Sequence, residues 1–183
     1  MNEVKRQTLA ILVDNEAGVL SQISRLFSRK GYNIESIVSG DTDKAGITRI
    51  TIAIMADQGM LEQIAAQCSK LIPVISVKIL DESVSIRREV ALIKVDAADH
   101  AKRNEIIQLA NVFRAKVIDV AKTSLTLEVF GSKSKITALI EMLTDFGILE
   151  IAKTGTIAIE RGRSTIYDDN KLKEEYNYGK NVL

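Results

Sequence analysis

One order of elements, strand, helix, strand, strand, helix, strand, is written twice along the chain, and this repetition constrains the fold more than any single motif does. In the first copy Leu9, Ile11 and Val13 share one face of a β-rich segment that stops at Asp14-Asn15-Glu16. After Gly18, apolar residues at Val19, Leu20, Ile23, Leu26 and Phe27 fall at helical spacing, and Gly31 ends the run. Asn33–Gly40 and Thr48–Ala56 are extended, with turn formers between them, and Ile50, Ile52 and Ile54 alternate with more polar neighbours. Leu61, Ile64, Ala65, Cys68 and Leu71 mark a second helix, and Val74–Leu80 a fourth strand that Pro73 introduces.

From Ser85 the same order returns with different residues in each slot. Arg88–Val95 reads as strand, Ile106, Ile107, Ala110 and Phe113 as helix, and Lys116–Val120 and Leu125–Val129 as two strands. Ile136, Leu139, Ile140 and Leu143 mark the last helix, and Ile148–Ile159 a last strand region broken near Gly155. Two β-α-β-β-α-β units give an α+β class with two ferredoxin-like domains, each an antiparallel sheet covered by two helices. The expected boundaries are 1–80 for the first domain and 84–162 for the second. Residues 163–183 form a charged tail expected to be disordered, either as a solvated terminus or as a segment that folds onto a partner.

Charge and special residues narrow the function. Lys and Arg nearly cancel Asp and Glu, leaving a net charge of +1 in 183 residues, which is not the footprint of a phosphate-backbone binder. The two strands expected at the centre of the first sheet offer isoleucine and threonine and no aromatic platform for stacked bases. No run reaches the length of a membrane-spanning helix, and Asp14 and Glu16 interrupt the first apolar stretch too early for a signal-peptide core, so a cytoplasmic protein is expected. The single cysteine, Cys68, excludes an internal disulfide and a multi-cysteine metal site, and its place on an apolar helical stripe makes it a buried structural thiol. The only histidine, His100, falls in a polar connection over Asp96–Lys102, where a solvated side chain is expected rather than a general base. No paired carboxylates, metal set or phosphate loop are visible, so no catalytic residues and no metal ligands are assigned.

The segment Asp14-Asn15-Glu16-Ala17-Gly18-Val19-Leu20 leads from a strand into a helix N-terminus, where free N–H groups and the helix dipole favour a carboxylate. The Asn15 amide can donate to a carboxylate and accept from an ammonium group, the two needs of an α-amino acid. A second reading stays open on spacing alone: Asn15 caps the helix, Gly18 eases its first turn, and Asn33 is turn chemistry.

Asn15-Glu16-Ala17-Gly18-Val19-Leu20 followed by Leu26-Phe27-Ser28-Arg29-Lys30-Gly31-Tyr32-Asn33-Ile34-Glu35-Ser36 closely resembles the opening of the acetohydroxyacid (acetolactate) synthase small regulatory subunit, an ACT-domain family. The resemblance continues through Thr48-Arg49-Ile50-Thr51-Ile52, Arg88-Glu89-Val90-Ala91-Leu92-Ile93-Lys94-Val95, Phe113-Arg114-Ala115-Lys116-Val117-Ile118-Asp119-Val120 and Gly147-Ile148-Leu149-Glu150-Ile151-Ala152, and covers about Thr8 to Gly162. It implies that the first domain is an ACT domain and that the chain is not an enzyme in itself. It implies a catalytic large subunit as partner, carrying thiamine diphosphate, magnesium and FAD, whose activity this chain raises and makes sensitive to valine, in branched-chain amino-acid biosynthesis. No cofactor is implied on this chain. The resemblance further implies a homodimer through the ACT domains, with the effector held by Asn15, Gly18, Val19 and Leu20 of one protomer and by Asn33 and Ile34 of the other. Gly40-Asp41 departs from the pattern, since many relatives carry a small residue and then Pro, and this alters the rim of the pocket. The alternative is a free-standing amino-acid sensor of ACT type that controls another target. A small metabolic enzyme on a ferredoxin-like scaffold is a third reading, because folds do not fix functions.

Overall fold

The computed structural model describes residues 3–168 and contains nine strands and four helices among them: β1 (Lys5–Asp14), α1 (Val19–Lys30), β2 (Ile34–Asp41), β3 (Ile47–Ala56), α2 (Gln58–Cys68), β4 (Val74–Ile79), β5 (Ser85–Asp96), α3 (His100–Val112), β6 (Lys116–Val120), β7 (Ser124–Gly131), α4 (Lys133–Thr144), β8 (Ile148–Lys153) and β9 (Ile157–Glu160). The first sheet has the order β2-β3-β1-β4 and the second β6-β7-β5-β8, with β9 also hydrogen-bonded to β5. All the recorded pairings are antiparallel. This is the twice-written ferredoxin-like plan that the sequence predicts, including the break of the last strand region at Gly155.

The described residues divide into two compact units, 3–86 together with 156–168, and 87–155. In the first, the alternation of β1 and β3 sends Leu9, Ile11, Val13, Ile50, Ile52 and Ile54 toward α1 and α2. There they meet Val19, Ile23, Leu26, Phe27, Leu61, Ile64 and Cys68 in one core. In the second, Ala91, Ile93, Val95, Leu125, Leu127 and Val129 pack on Ile106, Ala110, Ile136, Leu139 and Leu143 of α3 and α4. Helix starts follow local chemistry. Asp57 accepts from the Met60 N–H, Asp99 from the Ala101 N–H and Ser132 from the Lys135 N–H, as N-cap side chains do. His100 is therefore the first residue of α3 and not part of a longer loop.

The C-terminal boundary differs from the one expected. Residues 156–162 group with the first unit, and 163–168 are ordered against it; residues 169–183 lie outside the described ones. The cause is the other face of β1. Ala10 and Leu12 point away from α1 and α2, and both are fully buried under Leu80, Ala158 and Ile166, with Ile75 and Tyr167 beside them. A sheet with a bare outer face would leave these groups in water, and the returning chain removes them from it. Polar contacts fix its path. Arg6 donates to the Thr156 hydroxyl (2.7 Å), Arg49 to the Ala158 carbonyl (2.6 Å), and the Ser76 hydroxyl to the Ile166 carbonyl (2.9 Å). Lys78 pairs with Glu160 (2.6 Å), and that ammonium and the Ser164 hydroxyl hold the Glu160 carboxyl below its ordinary value.

Truncating Ile166, which is only 5% exposed, tests this docking. Ile166→Ala is expected to cost about 2 kcal/mol in denaturant unfolding. An unchanged unfolding midpoint would contradict a docked segment.

Candidate effector cleft

The outstanding helix is α1. Its N-cap is Gly18, at φ +88°, and no side chain caps its first turn, unlike α2, α3 and α4. The capping reading of Asn15 therefore fails: its side chain is exposed and left for something else. The left-handed φ at Gly18 is open to glycine and strained for other residues, and a Cβ there would meet nothing within 4 Å. The first N–H groups of an α-helix have no partner within it; in α1 the Val19 N–H donates to the Glu16 carbonyl (3.4 Å), which leaves those of Leu20 and Ser21 at the positive end of the helix dipole.

That space is a cleft of about 380 Å³, within the range of small-ligand sites (roughly 300–1,000 Å³). Asn15, Gly18, Val19 and Leu20 form one wall, and Ser39, Gly40 and Asp41 at the end of β2 form the other. Val13, Thr48 and Ile50 lie between them, and Asp14 and Glu16 complete the lining. Val13, Val19 and Ile50 are almost fully buried, which gives the cleft an apolar floor, while Leu20 is 44% exposed at its rim. The loop is anchored from both sides, because the Asp14 N–H donates to the Pro73 carbonyl (2.9 Å) and the Asn15 N–H to the Gly46 carbonyl (2.8 Å).

Four of the six residues expected at an effector site thus line one cleft, and Asn33 and Ile34 do not. Ile34 begins β2 opposite Ile54, whereas Asp41 ends it opposite Thr48. Seven residues of extended chain separate them by about 23 Å. Ile34 is half-buried against the core of its own unit, and Asn33 is exposed. Ser39, Asp41 and Thr48 escaped the sequence reading as site residues. The available signal was the Thr48-Ile50-Ile52-Ile54 alternation, which sets a threonine on the core-facing side of its strand.

Other candidate groups lie away from the cleft. Cys68 is fully buried, and burial pushes its thiol up to about 11, so it stays protonated. Among the described residues no three or more His, Cys, Asp or Glu side chains are gathered to hold a metal ion, and no helix is long and apolar enough to cross a membrane.

Comparison with known proteins decides the family. Residues 9–76 match the model of the acetohydroxyacid synthase small subunit-like ACT domain, and residues 88–162 match the model described as the small subunit of acetolactate synthase. The chain belongs to the acetolactate synthase small-subunit family. It is 43% identical over 158 residues to the probable acetolactate synthase small subunit of Methanothermobacter thermautotrophicus, covering 86% of this chain and 94% of that one. It is 44% identical over 161 residues to the acetolactate synthase small subunit of Mycolicibacterium smegmatis, covering 88% and 94%. The crystal structure of the acetolactate synthase small subunit from Thermotoga maritima superposes with a TM-score of 0.82 at 36% identity, covering 88% of this chain and all of that one. The two family models meet the chain on its two β-α-β-β-α-β repeats, and the cleft lies in the residues of the ACT-domain match.

In this small-subunit chain the open cleft depends on the left-handed turn at Gly18. Gly18→Ala is expected to lower stability by about 1–2 kcal/mol, read by denaturant unfolding, through backbone strain alone. No loss would contradict the φ observed there.

Proposed function

We propose that the chain is the non-catalytic regulatory subunit of an acetolactate synthase, working in the cytoplasm, where it raises the turnover of a catalytic subunit and carries the site through which valine inhibits it. The observation that carries this reading is the uncapped N-terminus of α1, which opens onto an apolar-floored cleft at the edge of the ACT-domain sheet. Unpaired N–H groups suit a carboxylate, the Asn15 amide suits either charged group of an amino acid, and Val13, Val19, Leu20 and Ile50 suit a branched aliphatic side chain. Membership of the small-subunit family supports the choice of partner. In this reading thiamine diphosphate, magnesium and FAD belong to that partner, and this chain supplies the control.

A second copy completes the site. β2 is an edge strand, with Ile37 39% exposed, so it can pair antiparallel with the β2 of another protomer across a two-fold axis. Antiparallel pairing sets the start of one β2 beside the end of the other. A partner's Asn33 and Ile34 are thereby brought to the end of β2 that carries Ser39, Gly40 and Asp41, which one chain cannot do across about 23 Å. Valine held between two copies binds one dimer arrangement more tightly than another, and that difference is what feedback requires.

Mixing the purified chain with its catalytic subunit tests the proposal. Synthase turnover is expected to rise to a plateau with added chain, and valine to reverse the rise while leaving the rate of the catalytic subunit alone unchanged. Asn15→Ala is expected to keep the activation and to weaken inhibition by valine at least about tenfold. Unchanged turnover at saturating chain would contradict the reading.

A further inference from the structure

Carboxylates but no Lys, Arg or His line the space: Asp14 and Glu16 stand on the loop before α1, and the wall opposite the N-terminus of α1 ends in Asp41. Strand register fixes what stands beside that carboxylate. Asp41 pairs with Thr48, and Thr48 with Val13, so the three side chains form one row across β2, β3 and β1. Ser39, Ile50 and Ile11 form the next row on the same face. That is the face packed by α1 and α2, as the burial of Ile11, Val13 and Ile50 in their core requires.

Thr48 is the informative member. It is 8% exposed and lines the cleft, and its hydroxyl makes no hydrogen bond among the described residues while staying open to the cleft. A hydroxyl that meets only water in the open cleft needs a new partner once a ligand displaces that water, so a ligand group that bonds to it is favoured over one that cannot. The neighbour in its row is a carboxylate, which only accepts, while the hydroxyl both accepts and donates. A group with several donors and a positive charge satisfies both at once. A metal ion is a poor occupant, since no three potential ligands among the described residues are gathered to hold one. A ligand carboxylate would face a like charge here, and finds its donors on the opposite wall.

We propose that Asp41 and Thr48 form the ammonium-recognising wall of the cleft, and that they make this chain select α-amino acids over their deaminated acids. The proposal rests on the amino-acid-effector reading above and assigns it an orientation: carboxylate toward α1, ammonium toward the β2–β3 row, side chain on Val13, Val19 and Ile50. Selection follows because an acid without the ammonium group leaves Asp41 and Thr48 unsatisfied.

The test is calorimetric titration of the full-length chain with L-valine and with 3-methylbutanoate, which has the same carbon skeleton and carboxylate without the amino group. The unaltered chain is expected to bind valine at least about tenfold more tightly. Asp41→Asn and Thr48→Val are each expected to weaken valine by about tenfold and to leave 3-methylbutanoate within about twofold, closing the gap between the two. Thr48→Ser keeps the hydroxyl and is expected to retain valine binding. Asp43→Asn removes a carboxylate from the neighbouring loop, outside the cleft lining, and separates a specific contact from a general change of charge. Thermal unfolding of each variant checks that it is folded. Valine affinity unchanged in Asp41→Asn and Thr48→Val, or an equal loss for both ligands, overturns the ammonium assignment and leaves the effector cleft standing. Failure of the unaltered chain to bind valine, alone and with its catalytic subunit, overturns both.

Discussion

The structure of the first unit depends on β1 being buried on both faces. One face supplies Leu9, Ile11 and Val13 to the core under α1 and α2; the other supplies Ala10 and Leu12 to a second, smaller core. A strand in that position cannot slip by a single residue, because a slip exchanges every side chain between the two cores. Its last residues are thereby held in place, and they carry the loop Asp14–Gly18 to the start of α1. The backbone bonds from Asp14 to Pro73 and from Asn15 to Gly46 fasten that loop to two different connections. The effector cleft inherits its geometry from this strand and not from the loop sequence alone.

The period of the apolar residues made most of the fold legible. Alternation at Ile50, Ile52 and Ile54 and helical spacing at Val19, Ile23, Leu26 and Phe27 identify the elements and the faces they bury. The second core was harder to foresee. The uninterrupted run Leu9-Ala10-Ile11-Leu12-Val13 signals burial on both sides, but nothing local says which distant segment provides the cover. Ala158 does so from the last strand region, and Ile166 and Tyr167 from a region whose charged, Asn- and Tyr-rich composition reads as tail, because a segment that docks by a few apolar side chains has no periodic stripe. For the same reason the second unit closes at 155 and not at 162.

The site was half legible. Asn15, Gly18, Val19 and Leu20 are contiguous, and the chemistry of a strand-to-helix turn singles them out. Asp41 and Thr48 are seven residues apart in a loop-linked hairpin, and only the register that pairs them makes them neighbours. Asn33 and Ile34 lie at the far end of β2, and it is the proposed dimer that would bring a second protomer's copies of them to the site. The sequence could not distinguish a capping Asn15 from a ligand-binding one. The positive φ at Gly18 and the absence of a side-chain cap remove the capping role, and ligand binding is the role proposed in its place.

In the proposed orientation a zwitterion sets its carboxylate at the N-terminus of α1 and its ammonium by Asp41, over the aliphatic floor of Val13, Val19 and Ile50. Charge at both ends also makes binding sensitive to the spacing between walls, and that spacing belongs to the sheet edge at which the dimer is proposed to form. A ligand that spans the walls can therefore favour one arrangement of the dimer, as a control element needs.

The most direct measurement of this account is a crystal structure of the chain grown with L-valine. The account predicts a two-fold dimer joined along β2, with valine in the cleft, its carboxylate at the N–H groups of Gly18–Leu20, its ammonium near Asp41 and Thr48, and the partner subunit's Asn33 closing the site. Valine bound elsewhere, or protomers joined through a different strand with Asn33 far from every cleft, would contradict it.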